Sequence, residues 1–419
     1  MDLLMKTFFE KERWKNAMDI AFDKNINSDV LRSMSSPENR LQLYRDIRDG
    51  KYVIAPPHEA QIPKDDGTFR TVYVNENQDR VILSIFNDMI FELCPEMIHP
   101  NCRSYQKGIG CGKTVQHVSQ SIKNMPSGEI GVKVDLSKYF DSVPIEFIDE
   151  VFDYIENKFG KSSLLDMVKL YYHTNTVIDM EKNLIEKYSS LRQGCAFAAF
   201  LADAVLYDID DEISRYNVCY YRYSDDILIV GPEWEKGYET LKQMLSEKSL
   251  ILNPKKVETL YKHKWFKFLG FMLKDDKITL SSSRLKSFQK EIEKRTIHQT
   301  DTTDLSQIVK VVNRYIYKGD GTYSWATSVL PIVNVDKDIQ TLNSFVMDAI
   351  RAAHTQKKSI GGLGSVRDRE NETILRGKGR NVRANREKIA NIPDYKTIKC
   401  MQNAINTSKA VYDTLVMTM

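Results

Sequence analysis

The segment YRYSDDILIV, residues 221–230, places two adjacent aspartates between two runs of aromatic and β-branched residues. The flanking runs predict two strands joined by a tight turn, with Asp225 and Asp226 in or beside the turn. Two neighbouring carboxylates repel each other, and an Asp pair in an isolated turn is common because Asp accepts turn geometry. The pair therefore indicates a functional site only where another group compensates its charge.

A third aspartate lies in a similar context upstream. Asp135 ends the strand-like part of EIGVKVDL, residues 129–136, and helical sequence separates it from the Asp pair. Carboxylates at the end of one strand and in the turn of a neighbouring hairpin can converge on one point. Mg²⁺ prefers oxygen ligands and is usually held by one or two carboxylates together with substrate phosphates. The three acids thus predict a divalent-metal site for phosphoryl transfer, in which two ions about 3.5–4 Å apart bind the attacking and leaving oxygens.

Composition limits the classes of protein to consider. The chain has 419 residues, 42% of them hydrophobic and 28% charged, which is typical of a globular protein of two or three domains. No apolar run approaches the roughly 20 residues that span a bilayer, and the N-terminus has no secretory pattern, so we expect a cytoplasmic protein without membrane contact. The six cysteines lack the spacing of a zinc site and are expected to be reduced, buried thiols. The net charge of +3 argues neither for nor against a polyanionic partner.

Hydrophobic periodicity predicts a mixed chain of helices and hairpins. Residues 1–50 are expected to be helical, and YVIAPPHEAQIPKDDGTFRTVYV, residues 52–74, is expected to form a hairpin around Asp66 and Gly67. A Gly-rich loop is predicted at 106–113 and a second hairpin at 266–280. Further helices are predicted at 79–93, 145–159, 164–172, 196–215 and 234–248, and over most of the chain beyond 284.

The order of these segments resembles that of reverse transcriptases. The segments VDLSKYFDSV (134–143), LRQG (191–194), YSDD (223–226), LNPKK (252–256) and FLGF (268–271) look like the successive palm motifs of that family. Upstream, IPKDDGTFRTVYVNENQDRVI (62–82) and SYQKGIG (104–110) are similar to the fingers motifs of its bacterial and intron-encoded branch. The resemblance covers roughly residues 50–280.

The resemblance implies an α+β chain with a right-hand polymerase fold. It divides the chain into an N-terminal helical extension (1–49), fingers with part of the palm (50–128), an antiparallel-sheet palm (129–283), a helical thumb (284–355) and a basic C-terminal extension (356–419).

The resemblance also implies catalytic roles. The catalytic set would be Asp135, Asp225, Asp226 and Lys256, and Leu136 would join the three aspartates as a metal ligand. Lys256 would protonate the leaving pyrophosphate as a general acid, with Lys255 as the alternative. The metal would be two Mg²⁺ ions, with Mn²⁺ as a substitute.

Nucleotide and primer contacts follow from the same resemblance. Lys64 and Arg70 would bind the triphosphate, although taken alone they are surface charges on a hairpin. Phe140 would leave no room for a 2′-hydroxyl, the alternative being an ordinary core aromatic. Gln193 and Gly194 would lie close to the nucleotide and template. Phe268, Leu269 and Gly270 would support the primer end. Their pattern is almost equally typical of an ordinary β-sheet core.

These features predict an RNA-directed DNA polymerase similar to the stand-alone bacterial reverse transcriptases of the defence-associated groups. Its expected partners are a structured noncoding RNA template, deoxynucleotide triphosphates and the cDNA product. Two departures are visible: residues 195–199 (CAFAA) replace the usual small residue, Pro and Ser after Gln-Gly, and no retron-type Val-Thr-Gly follows the palm. The alternatives are a catalytically silent RNA-binding scaffold and a template-independent or RNA-synthesising polymerase.

A basic segment near the C-terminus is the last candidate site. Residues 376–388 contain six basic residues against one acid, and they could follow RNA phosphates or form a solvated loop. The residues concerned are Arg376, Lys378, Arg380, Arg383, Arg386 and Lys388. The sequence predicts neither the oligomeric state nor the way in which synthesis is primed.

Overall fold

The computed structural model describes residues 2–23, 26, 28–64, 67–106, 108–298, 304–318 and 324–354. Its helices, in chain order, are α1 (Leu3–Phe8), α2 (Lys11–Asp23), α3 (Ser28–Ser35), α4 (Pro37–Arg48), α5 (Asn77–Leu93), α6 (Cys111–Lys123), α7 (Tyr139–Ser142), α8 (Ile145–Phe159), α9 (Ser163–His173), α10 (Ala198–Ala204), α11 (Tyr207–Ile213), α12 (Trp234–Glu247), α13 (Ser282–Thr296), α14 (Leu305–Asn313), α15 (Trp325–Ser328) and α16 (Asp336–His354). Single turns of 3₁₀-helix cover Pro95–Met97 and Pro254–Lys256, and a π-helical turn covers Arg314–Lys318.

Within the residues that the structure describes, the strands form three small sheets. They are β1 (His58–Pro63), β2 (Phe69–Val74), β3 (Glu129–Asp135), β4 (Thr176–Ile178), β5 (Leu184–Glu186), β6 (Cys219–Tyr223), β7 (Asp226–Val230), β8 (Glu258–Tyr261), β9 (Phe266–Phe268), β10 (Phe271–Lys274) and β11 (Lys277–Leu280). The sheet orders are β2-β1-β4-β5, β6-β7-β3-β8 and β11-β10-β9. The mixture of helices with largely antiparallel sheets confirms the α+β class predicted from the sequence.

The chain divides into two compact units. The first contains Met1–Ile109 and Met125–Tyr261, and the second contains Gly110–Asn124 and the chain from Lys262 onward. The first unit holds the β6-β7-β3-β8 sheet, which we call the palm sheet, and the β2-β1-β4-β5 sheet. The domain bounds expected from the sequence stay a prediction.

The palm sheet is held in position by the alternation of buried and outward-facing side chains along its central strands. In β3, Val132 and Val134 are 1% and 0% exposed and belong to the core of the first unit, which also contains the apolar residues of α5. Since alternate residues of a strand point to opposite faces, the intervening Lys133 and Asp135 lie on the other face of the sheet. The strand that carries the first candidate acid is therefore anchored by its buried face.

Most of the predicted elements are confirmed, and four details are corrected. The helix predicted at 196–215 is two short helices, α10 and α11, separated by Val205 and Leu206. The loop predicted at 106–113 ends earlier, because α6 begins at Cys111 after Gly110 in extended conformation. The hairpin predicted at 266–280 is a three-stranded antiparallel sheet, in which a turn at Leu269 and Gly270 joins the first two strands. Of the cysteines in the described ranges, Cys111 and Cys219 are only partly buried. Within these ranges, no helix combines the length and the apolar character needed to cross a bilayer.

Candidate active site

The three candidate acids meet at the end of the palm sheet. The β3–β7 register pairs Asp135 with Asp226, and the β6–β7 register pairs Tyr223 with Asp226, so Ser224 and Asp225 form a two-residue turn. Residues directly opposite each other on antiparallel strands carry their side chains on the same face. Asp135 and Asp226 therefore share a face, and Asp225 is not subject to strand alternation because it lies in the turn.

A backbone contact fastens this turn to the end of β3. The N–H of Leu136 donates to the carbonyl oxygen of Asp225 at 3.2 Å. The register thus continues one residue beyond the strand, and the two segments singled out from the sequence are in direct contact.

Asp225 and Asp226 are destabilised in their charged form. Burial, together with the charges of Asp225 and Asp135, raises the pKa of Asp226 to about 6. Burial also raises the pKa of Asp225, with the charge of Asp135 as the next cause. Positive charge near these two carboxylates stabilises their ionised form, and the sequence predicts that a metal ion supplies such charge.

Lys256 supplies part of that charge. Its Nζ donates to Asp135 Oδ2 at 2.6 Å. The 3₁₀-turn that ends at Lys256 is itself attached to β3, because the N–H of Asn253 donates to the carbonyl oxygen of Asp135 at 2.8 Å. The structure thus brings Lys256 to the acids, and the choice between Lys256 and Lys255 as general acid stays a prediction.

The donor set fits a divalent cation that is completed by substrate. Within the described ranges, no three His, Cys, Asp or Glu side chains are grouped so that they alone could hold a metal ion. Mg²⁺ rarely needs such a group, since substrate phosphates and waters supply its other ligands. Asp135 and Asp225 offer carboxylates, whereas Leu136 could offer only its backbone carbonyl because its buried side chain is apolar. A cation on Asp135 would replace the ion pair with Lys256.

The two candidate triphosphate ligands lie on the β1–β2 hairpin. Arg70 is opposite Ile62 in the register, and both Arg70 and Lys64 are exposed. The charge of Arg70 acts to lower the pKa of Asp225, against the larger effect of burial. Lys64 closes the described part of the turn, its N–H donating to the Thr68 carbonyl at 2.8 Å. The hairpin thus directs at least one cation toward the acids.

Residue 194 must be glycine because the backbone passes close to strand β2 at this position. The N–H of Tyr73 in β2 donates to the carbonyl oxygen of Gln193 at 2.7 Å. A Cβ on residue 194 would lie 2.7 Å from the Tyr73 carbonyl oxygen, and its φ of +110° is one that other residues rarely adopt. The backbone of the Gln-Gly motif therefore packs against β2, and its contact with a nucleotide stays a prediction.

Phe140 is only half-buried. Its ring packs edge-on against Tyr139 at a centroid distance of 5.7 Å, and its carbonyl oxygen accepts the N–H of Leu191 at 2.9 Å. The second contact ties α7 to the segment that carries Gln193. Phe140 is therefore a partly exposed residue that packs against the core of the first unit.

The remaining candidates fall in the second unit or outside the described residues. Phe268 is 1% exposed, and Leu269 and Gly270 form the β9–β10 turn with φ of 48° and 79°. Their role at a primer end stays a prediction. The basic residues between 376 and 388 lie outside the described residues.

Sequence reasoning missed a buried ion pair behind the palm sheet. Arg222 and Asp210 are both 0% exposed, and the guanidinium donates to the carboxylate through Nε at 2.7 Å and through a terminal nitrogen at 2.5 Å. The hydroxyl of Tyr220 donates to the same carboxylate at 2.6 Å. The only sequence signal was a charged residue inside the otherwise apolar strand β6.

Comparison with known proteins gives one family and a fold likeness. The family model described as reverse transcriptase (RNA-dependent DNA polymerase) matches residues 62–273. The Retron Ec48 reverse transcriptase of Escherichia coli is 21% identical over 224 residues, which cover 51% of this chain and 50% of that protein. The chain therefore spans about half the length of this curated relative.

Among solved structures, the insertion-loop deletion mutant of the RNA-dependent RNA polymerase of a human picorbirnavirus aligns with a TM-score of 0.50 and 11% identity, over 80% of this chain and 64% of that chain. Telomerase from Candida albicans aligns with a TM-score of 0.42 and 10% identity, over 76% of this chain and 61% of that chain. The likeness to the viral enzyme shows the polymerase fold alone. It agrees with the right-hand class predicted from the order of the motifs.

Proposed function

Because the chain belongs to the reverse transcriptase family, whose model matches half of it, we propose that it is an RNA-directed DNA polymerase. The observation that carries the proposal is the convergence of Asp135, Asp225 and Asp226 at one end of the palm sheet. Three carboxylates that repel one another are useful at one place only if they bind cations, which in turn bind substrate phosphates. A scaffold without catalysis gains nothing from three acids in such a position.

Each residue of the site has a proposed task. Asp135 and Asp225 would hold two Mg²⁺ ions, for which Mn²⁺ could substitute, with Asp226 beside them. When bound, such ions stabilise the charge that develops on the transferred phosphoryl group. Arg70 and Lys64 orient the triphosphate of the incoming nucleotide. Lys256 gives its proton to the leaving pyrophosphate, for which its place beside Asp135 is suited.

We infer that the sugar is a deoxyribose. Phe140, which is only half-buried, follows Asp135 by five residues and lies on the short helix α7 that begins at Tyr139. An aromatic ring against the sugar leaves no space for a 2′-hydroxyl, whereas an enzyme that polymerises ribonucleotides needs that space. The fold likeness to an RNA-synthesising enzyme does not bear on this point.

The template is proposed to be a structured noncoding RNA and the setting antiphage defence. Support comes from the motif resemblance to stand-alone bacterial enzymes and from the bacterial relative among the matches. Contact between the basic residues near 376–388 and RNA phosphates belongs to the same proposal, as does a cytoplasmic location. RNA affinity that falls with rising salt is the expected signature of such contacts.

The test is incorporation of deoxynucleotides on a primed RNA template. The purified protein is expected to extend the primer in the presence of Mg²⁺, and the double variant Asp225→Ala, Asp226→Ala is expected to be inactive while still folded. Asp211→Ala is the matched control, because it removes a solvent-exposed carboxylate that forms an ion pair with the exposed Arg215. Equal incorporation by the double variant and the control would refute the assignment. Sequencing the RNA and DNA that copurify with the protein would identify template and product together.

A further inference from the structure

A buried hydroxyl accepts a hydrogen bond from the backbone of the turn that carries Asp225. Ser224, the first turn residue, has a φ of 58°, a left-handed conformation that residues other than glycine rarely adopt. Its N–H donates to Ser104 Oγ at 2.9 Å. Ser104 is 0% exposed and lies 120 residues away in sequence, so the strained turn is fixed by a long-range contact.

The hydroxyl of Ser104 is in turn oriented by a carboxylate. Ser104 Oγ donates to Asp203 Oδ1 at 2.5 Å, and Asp203, on α10, is also 0% exposed. Because the hydroxyl proton points to Asp203, a lone pair of the same oxygen is available to the N–H of Ser224. An acceptor at 203 thus decides which way the hydroxyl faces.

Asp203 is held in place by the buried cation. The carbonyl oxygen of Asp203 accepts from a terminal nitrogen of Arg222 at 2.7 Å, and the Asp210 carboxylate holds the same guanidinium through Nε and through that terminal nitrogen. A chain of buried hydrogen bonds therefore runs from α11 through β6 and α10 to the turn. Its last member, Ser224, directly precedes Asp225.

We propose that Ser104 and Asp203 are positioning residues that fix the backbone of the Ser224–Asp225 turn and thereby the place of the Asp225 carboxylate. The kinetic part of this inference rests on the proposed polymerase function. The N–H of Ser224 belongs to the peptide between Tyr223 and Ser224. Rotation of this peptide shifts the turn and moves the Asp225 carboxylate relative to Asp135. Reactive groups must be held within about 0.5 Å, and a displacement of about 1 Å costs about 100-fold in rate.

The first test compares two buried serines. Ser104→Ala removes the acceptor for the turn, and Ser119→Ala is the matched control, since Ser119 is 4% exposed and donates one bond to the Asp275 carbonyl at 3.2 Å. We expect Ser104→Ala to lower kcat by about 10–100-fold, with the KM for deoxynucleotide within about twofold of wild type. The control is expected to keep both parameters within about twofold.

A second readout does not depend on activity. The affinity of each protein for Mn²⁺ is measured by electron paramagnetic resonance without nucleic acid, and Ser104→Ala is expected to bind about 10-fold more weakly than Ser119→Ala. Equal kcat and equal Mn²⁺ affinity in the two variants would overturn the inference. A wild-type protein that incorporates no deoxynucleotide would refute the proposed function instead, and the Mn²⁺ affinities would still decide whether Ser104 positions the acids.

If Ser104→Ala does not fold, two changes at residue 203 make the same comparison. Asp203→Asn keeps an acceptor for the Ser104 hydroxyl, whereas Asp203→Ala removes it. We expect Asp203→Asn to keep kcat and Mn²⁺ affinity within about threefold of wild type and Asp203→Ala to lose about 10-fold in each. The same values for the Asn and Ala variants would show that the hydrogen bond does not position the turn.

Discussion

Replacing Asp226 by Asn should stabilise the protein when divalent cations are removed. Burial and the charges of Asp225 and Asp135 raise the pKa of Asp226 from 3.8 to about 6. Because the folded protein holds this proton more tightly than the unfolded chain, the stability that depends on it is present below pH 3.8 and is lost as the pH rises to about 6. At about 1.36 kcal/mol per pKa unit, the loss at pH 7.5 amounts to about 3 kcal/mol. Asn cannot ionise and escapes this loss.

The assay is thermal or urea unfolding in EDTA from pH 4 to pH 7.5. The difference in stability between Asp226→Asn and wild type should grow from near zero at the acid end to at most about 3 kcal/mol. For domains of 150–250 residues this corresponds to about 2–4 °C in Tm for each kcal/mol. Asp211→Asn, which removes an exposed carboxylate paired with Arg215, should change stability by less than about 1 kcal/mol. Saturating Mg²⁺ should stabilise wild type more than Asp226→Asn.

An Asp226→Asn variant that is no more stable than wild type at pH 7.5 in EDTA would refute the raised pKa of Asp226. A difference in stability that does not depend on pH would also refute it, because a change in packing or in a hydrogen bond does not follow the titration of one carboxylate.

Three further changes probe other parts of the site. Lys256→Met should let Mg²⁺ stabilise the protein at a lower Mg²⁺ concentration, because the ammonium no longer competes with the ion at Asp135. The same change should lower kcat by about 10²–10⁴-fold, because a general acid is lost. An unchanged Mg²⁺ dependence in a thermal-shift titration would contradict the first expectation. Gly194→Ala should lower Tm and primer extension together, because its Cβ would meet the Tyr73 carbonyl oxygen at 2.7 Å in a backbone conformation that alanine disfavours. Phe140→Ala should raise the ratio of ribonucleotide to deoxynucleotide incorporation by about 10–100-fold in a single-nucleotide extension assay, and an unchanged ratio would leave the ring with a packing role only.

The sequence by itself determined the local elements and the identity of the acids. Helices and hairpins follow from periodicity and turn residues within about 20 positions, and the order of the motifs identified the polymerase fold. The adjacent Asp225 and Asp226 were visible because two charges inside a strand-forming run are costly without a compensating partner. Short strands such as β4 and β5 were missed, because three residues carry too little periodicity to predict a strand.

Only the tertiary structure decided which of these residues meet. The register that sets Asp135 opposite Asp226 joins strands about 90 residues apart, and a slip of one residue would turn the acid to the other face. The same holds for Lys256 on Asp135, for Gly194 against β2, and for the contact of Ser104 with the turn. Sequence patterns record the preferences of near neighbours, whereas these contacts exist because the buried faces of distant segments pack together.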